Sequence, residues 1–382
     1  MSSEIPSVLV LEPITPSNDS VRAEELKYPK LQPAVEKHGP YEHARMNRFW
    51  DAEGDSLEEL EAARQLAMQY MLMGSLALTQ TTNQDVWSKR YTQATSELYG
   101  LPEPDLARSL WSEQLSERGD VEVPFKEAAQ KVGEYLNDKY AAVFDALDID
   151  SSSPESIDPN GVADRFEAAL AVLADQYDPD WSNWKIERNS EKDSLSVVAE
   201  TQTIIVGMKR ASVQPQQLEA LFSHEILVHG LRAVNGRKIS ESLGTGLPGY
   251  LDAEEGLGVF IEYAISGNIS EKNIDRYVDI AYALGQIDGE EHSRQELIDY
   301  AMKRAIARND KAEHKKTIKD IEKEVYAHVN RIYRGSLGNE SIGIFTKDIS
   351  YHKGFVEMGR YIQAQIDNGK SIEEVLDFLL TG

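Results

Sequence analysis

Apolar residues recur at three- and four-residue intervals through three segments of the first half of the chain, which is the spacing of amphipathic helices. The first, SLEELEAARQLAMQYMLMGSLAL from Ser56 to Leu78, opens with Ser56 three residues ahead of Glu59, a capping-box arrangement. The second runs from Phe125 to Leu147 and the third from Asp164 to Tyr177. Between them, DIDSSSPESIDPNG (Asp148 to Gly161) interrupts the period with Pro, Gly and Ser. At Trp184 the pattern changes. WKIERN and SLSVVAETQTIIVGMK are rich in β-branched residues and are separated by the polar SEKD, so two or three short strands are expected there. They lead into an apolar helix around Leu221, and beyond Tyr250 the helical period returns almost to the end. The prediction is an α+β protein, mainly helical, with a small sheet beside a central helix. Residues 1–40, rich in Pro, Ser and charge, read as a flexible arm. Residues 41–165 read as a helical layer. Residues 166–382 carry the sheet and the central helix, either as a separate domain or continuous with that layer.

The central helix contains the sequence LFSHEILVHGLRAVNG, Leu221 to Gly236. His224-Glu225 and His229 form H-E-x-x-x-H, one residue longer than the zinc-protease signature H-E-x-x-H. In a regular α-helix, positions five apart differ by roughly 140° around the axis, so both imidazoles cannot face one ion. A single π-type turn restores a common face, and such turns cluster at functional sites. The metal reading therefore predicts a widened helix between His224 and His229. A catalytic zinc also takes a third protein ligand and leaves a fourth position open. GYLDAEEGLGVFIEYA offers it: Asp252 looks like an N-cap, Glu255 lies three residues on, and Glu262 falls on the same face seven residues further. Either glutamate could serve as ligand, and Glu262 could instead orient a ligand histidine. Gly256 and Gly258 suit a helix pressed closely against the metal-bearing one. Glu225, next to His224, is placed to act as general base and acid. The plain alternative is a buried apolar helix with two incidental histidines.

Composition narrows the chemistry. The chain has no cysteine, which excludes disulfides, thiolate metal sites and cysteine nucleophiles, and leaves His, Asp and Glu as ligands. Sixty-five acidic against 40 basic residues give a net charge of −25, so nucleic acid and anionic membranes are unfavourable partners. The N-terminus lacks the basic start and long apolar stretch of a secretory signal, and the longest apolar run, Leu66 to Leu78, is too short to span a bilayer. A cytoplasmic location is expected.

HEILVHGLRAVNG followed by EEGLGVFIEY resembles the metallopeptidases named for a Q-E-G-L-A motif, a family that includes the microtubule-associated tyrosine carboxypeptidases, which remove the C-terminal tyrosine of α-tubulin. A third block, YRGSLGNESIGIFTKDISYHKGF, is similar to the family's R-G…F-T-K-D-x-x-Y-x-x-G. The resemblance implies a zincin-like catalytic core in residues 166–382 and one Zn2+ ion held by His224, His229 and Glu255, with Glu225 activating water. It implies a carboxypeptidase whose substrate is a peptide or protein C-terminus. Here the motif reads E-E-G-L-G, with Glu254 for Gln and Gly258 for Ala. A charge of −25 also opposes an acidic tubulin tail unless a local basic patch intervenes.

Capture of a terminal carboxylate calls for Arg, Lys or Tyr. Lys347 and Arg334 are the candidates in the third block, with Tyr351 as donor or oxyanion stabiliser. Arg232 could brace Glu255 or a neighbouring carboxylate, and the strand SLSVVAETQ could accept an extended peptide along its edge. The rival readings are a zinc endopeptidase, a non-catalytic peptide-binding member of the same fold, and a helical interaction protein without metal.

Overall fold

A computed structural model describes residues 84–115, 125–150, 155–240, 243–244, 251–312, 315–336 and 342–380. The expected arm of residues 1–40 and the helix proposed for Ser56 to Leu78 lie outside these residues. In chain order the elements are α1 (Gln84–Tyr99), α2 (Pro104–Leu115), α3 (Lys126–Lys139), α4 (Ala141–Ala146), α5 (Pro159–Gln176), β1 (Lys185–Asn189), β2 (Leu195–Val198), β3 (Thr203–Gly207), α6 (Pro215–Phe222), a π-helical turn (Ser223–Gly230), α7 (Leu231–Ile239), α8 (Leu251–Ser266), α9 (Glu271–Ala283), α10 (Arg294–Lys311), α11 (Ile318–Ile332), α12 (Ile349–Asp367) and α13 (Ile372–Leu379). The protein is therefore α+β and mainly helical, with one small sheet. The single helix expected over Phe125 to Leu147 is two, broken at Tyr140, whose backbone leaves the helical region (φ −112°, ψ 24°). Among the described residues no helix is long and apolar enough to cross a membrane.

The chain divides into two compact units. One draws on residues up to 119 together with 274–349, the other on 120–273 together with 350–382. In the first, Asp279 of α9 is fully buried. It accepts two hydrogen bonds from Arg304 of α10, at 2.7 and 2.6 Å, and lies 2.7 Å from His328 Nε2 of α11. Arg308 makes a second bidentate pair with Asp275 at 2.6 and 3.0 Å. Bidentate guanidinium–carboxylate geometry fixes orientation as well as charge, so this network locks the register of three helices.

The second unit contains the sheet. Its order is β1-β3-β2, with β1 parallel and β2 antiparallel to β3. The SEKD turn thus joins two strands that are not neighbours, and β3 is inserted between them. All five residues of β3, TIIVG, are buried, as a central strand covered on both faces requires. The next segment, Met208–Gln214, turns the chain into α6, where Pro215 occupies the first turn, the position at which a missing N–H costs no hydrogen bond. β2 packs against the π turn, and α8 packs against both the π turn and α3. The sheet, through β2, and α8 both support the widened helix.

Candidate metal centre

His224 and His229 are brought to one face by the π turn that their spacing demanded. All of Ser223–Gly230 is π-helical, and the Leu231 N–H reaches back to the carbonyl of Ile226, five residues earlier. The imidazole centroids are 4.9 Å apart. Gly230 ends the turn against an indole: a Cβ there would come within 2.7 Å of Trp181. Glu255 of α8 completes the group. Its Oε2 is 3.7 Å from His224 Nε2 and 3.9 Å from His229 Nε2, and one ligand atom from each of the three residues lies within 4.8 Å of the others. Bonds of about 2.0–2.1 Å to tetrahedral corners place ligand atoms roughly 3.3 Å apart. The two Glu255 separations exceed that by about 0.4–0.6 Å, a contraction that side-chain rotation supplies, so this donor set fits a divalent ion such as zinc.

The outer ring nitrogens are also engaged. His224 Nδ1 is 3.0 Å from Glu262 Oε1, close in distance but too bent for a good hydrogen bond. His229 Nδ1 is 2.8 Å from Glu254 Oε1, which also accepts from Arg232 Nε at 2.8 Å. Arg232 Nη1 donates to the Leu243 carbonyl at 2.7 Å. A carboxylate behind a histidine fixes its tautomer and orientation and leaves Nε2 as the donor toward a metal. Arg232 thus braces the carboxylate neighbouring Glu255, one of the two roles open to it from sequence. Glu254 itself was visible there only as a departure from a Gln.

Charges in this cluster pull in opposite directions. Burial disfavours protonation of both imidazoles. The Glu255 and Glu262 carboxylates outweigh it at His224, raising its pKa well above the usual histidine range, and Glu254 does the same at His229. Burial raises Glu254, yet His229 and Arg232 together draw its pKa below the usual carboxylate range. Glu225 is pushed the other way: burial raises its pKa, and Glu255 and Glu262 add to this while the two histidines oppose it. A carboxylate raised in this way is a stronger proton acceptor, as a general base needs.

Helix α8 approaches very closely on two sides. A Cβ at Gly258 would stand 2.7 Å from the His224 ring, whereas one at Gly256 would stand 2.2 Å from the Gly354 backbone of α12. Only Gly258 therefore faces the helix that carries His224; Gly256 is consumed by a different crossing. Asp252 lies within the first turn of α8 rather than capping it, and its carboxylate accepts from Lys353 Nζ at 2.6 Å. Tyr351 lies one turn ahead of Gly354, half-buried on α12 in the same compact unit as His224, His229 and Glu255. Lys347 and Arg334 belong to the other unit. There Arg334 stacks over Phe345 at 4.9 Å, and buried Asp348, next to Lys347, pairs with Arg331.

A further basic residue acts electrostatically on Glu225. Arg210 ends the turn after β3, half-buried, with its guanidinium within electrostatic reach of the Glu225 carboxylate. Nothing in the periodicity of the chain marks it.

Fold and site together define a mainly helical protein whose core holds a His-His-Glu cluster able to bind a metal ion. The family model described as microtubule-associated tyrosine carboxypeptidase matches residues 119–288 and 313–382, and the chain belongs to that family. Neither curated proteins nor solved structures give a match to it. Membership implies a peptidase of the tyrosine-carboxypeptidase kind, acting on protein C-termini.

Proposed function

We propose that this protein is a zinc-dependent carboxypeptidase that removes a C-terminal residue, of the tyrosine type, from a peptide or protein in the cytoplasm. The observation that carries this reading is the convergence of His224, His229 and Glu255 across a π turn, with Glu225 adjoining them. In the proposal His224 and His229 hold zinc through Nε2 and Glu255 through a carboxylate oxygen, while Glu262 and Glu254 orient the two rings. Zinc in that position supplies Lewis acidity, polarising the scissile carbonyl and acidifying water. Glu225 accepts the proton of the attacking water and returns it to the leaving amine nitrogen. The outer edge of β2 pairs with no strand among the described residues. The strand itself contacts the π turn, and in the proposal an extended substrate adds along that free edge by main-chain hydrogen bonding.

Two measurements test this together. Purified protein should contain close to one zinc per chain. Wild type should shorten members of a peptide library from the C-terminus, and Glu225→Gln should lose that trimming by two orders of magnitude or more, the scale of general acid–base catalysis. Equal trimming by both proteins would remove Glu225 from the mechanism, and absence of bound metal would remove the enzyme.

A further inference from the structure

Next to the metal-bearing turn, and within the same compact unit, lies a cavity of about 190 Å³. Two of its lining residues, Trp181 and Leu231, adjoin the π turn. A Cβ at Gly230 would meet the Trp181 ring at 2.7 Å, and Leu231 follows Gly230 directly. Tyr135 and Tyr140, at the end of α3, and Tyr177, just past α5, add three phenol rings to the lining. The Tyr140 and Tyr177 rings are stacked with centroids 5.2 Å apart, and the Tyr177 hydroxyl donates to the Lys139 carbonyl at 2.8 Å. The rings are thus held in place, and aromatic walls favour a further ring in stacked or edge contact.

Two opposite charges share this lining. Lys139 Nζ donates to the Tyr135 hydroxyl at 2.6 Å and stands 5.1 and 5.9 Å from the centres of the Tyr135 and Tyr140 rings. Its side chain is 33% exposed, so solvent reaches it, and an ammonium carries three donors. Burial lowers its pKa, but the Tyr135 hydroxyl and the Tyr140, Tyr135 and Asp377 charges outweigh that and hold it above the ordinary lysine range. Asp377 of α13 is 63% exposed and lies 3.4 Å from Nζ, longer than the roughly 2.7–2.9 Å of a close charge-assisted bond. An ion pair this open contributes little by itself, so a ligand separates it at small cost. Asp178 also lines the cavity but is taken by Lys238 and the Asp180 N–H. Phenol and indole rings with a cation and an anion at hand complement a small zwitterion that carries a ring: its carboxylate goes to Lys139, its ammonium to Asp377.

We infer that this cavity is a second binding site, apart from the metal centre, for a free aromatic amino acid, and that its occupancy is felt at the π turn through Trp181. The ligand class follows from the lining; that such a molecule is also the product released rests on the tyrosine-type carboxypeptidase reading. The test titrates L-tyrosine into the purified full chain, followed by ligand-observed NMR. Two control ligands accompany it: N-acetyl-L-tyrosinamide keeps the ring without the charges, and glycine keeps the charges without the ring. Tyrosine should bind with a Kd of about 1 mM or below, as usual for a ligand of its size. Both controls should bind at least about tenfold more weakly, and Lys139→Met and Tyr177→Ala should weaken tyrosine binding by a similar factor. Amide exchange across residues 223–231 should slow in saturating tyrosine in wild type and stay unchanged in Lys139→Met.

The controls on wild type read the site without any substitution, so a variant that fails to fold does not block the test. Absence of saturable binding ends the assignment, as does a control ligand that binds as tightly as tyrosine. Undiminished affinity in either folded variant places the amino acid elsewhere and ends it too. Binding as expected with no change in exchange at 223–231 removes the link through Trp181. None of these readouts uses turnover. If Glu225→Gln trims peptides as wild type does, or wild type trims none, tyrosine binding lost in both variants still sustains the site, and only its connection to the product falls.

Discussion

Glu254 shows how one residue acquires a role that its neighbours in sequence do not announce. It sits beside Glu255, yet helical geometry turns it to the far side of the His229 ring, where it takes Nδ1 at 2.8 Å and Arg232 at 2.8 Å. The arginine draws its pKa down along with His229, so it stays ionised as the partner of an imidazole that must keep its outer nitrogen protonated. Glu254→Ala removes that brace and leaves Arg232 buried without its carboxylate. Zinc affinity should fall about 10–100-fold, measured by competition with a chelator of known affinity. An unchanged affinity would mean that packing alone orients His229. The residues legible in sequence were those whose spacing is itself the signal: His224, Glu225 and His229. Arg210 was illegible because its electrostatic relation to Glu225 depends on how the chain folds after β3, which periodicity does not carry.

At the scale of elements, the π turn was predictable because the alternative was geometrically closed. Two histidines five apart on a regular helix cannot serve one ion, and the chain resolves this by widening Ser223–Gly230. The glycines of α8 were legible as close contacts but not as two different contacts. Their partners, the His224 ring and the Gly354 backbone, come from segments about 30 and 100 residues away, and single-sequence periodicity carries no such pairing. The difference makes a paired prediction. At Gly258 the obstacle is the far end of a side chain, so Gly258→Ala should leave the urea midpoint nearly unchanged while pushing the imidazole aside. Zinc affinity should then drop by about tenfold. At Gly256 both surfaces are backbone and neither can yield, so Gly256→Ala should cost about 1–3 kcal/mol or more in urea unfolding. Reversal of the two effects would show that α8 is positioned by something other than these contacts.

For the whole molecule, the mixture of helical and two-residue periods was enough to give an α+β, mainly helical protein, because each segment buries one face of its own. The interleaving of residues up to 119 with 274–349 in one unit, and of 120–273 with 350–382 in the other, leaves no such trace, since no composition shift marks where a chain crosses between cores. A net charge of −25 adds a global term: self-repulsion at neutral pH must be offset by local pairs. One such group, fully buried at its carboxylate, is the Asp279–Arg304–His328 cluster. Burial raises the Asp279 carboxyl, but Arg304 and His328 outweigh it and hold its pKa at about 2. A carboxylate whose pKa is lower folded than unfolded stabilises fully above its unfolded value of about 3.9. That stability is lost as pH falls through the folded value. The amide-exchange protection factors of α9, α10 and α11, corrected for the intrinsic pH dependence of exchange, should therefore fall between about pH 4 and pH 2. At neutral pH Asp279→Ala should cost about 3–5 kcal/mol, because Arg304 is left buried beside an empty position, and the variant should lose the extra sensitivity over that acid range. If protection in these helices falls no further below pH 4 in wild type than in the variant, the cluster does not hold them together, and the repulsion of an acidic surface is balanced elsewhere.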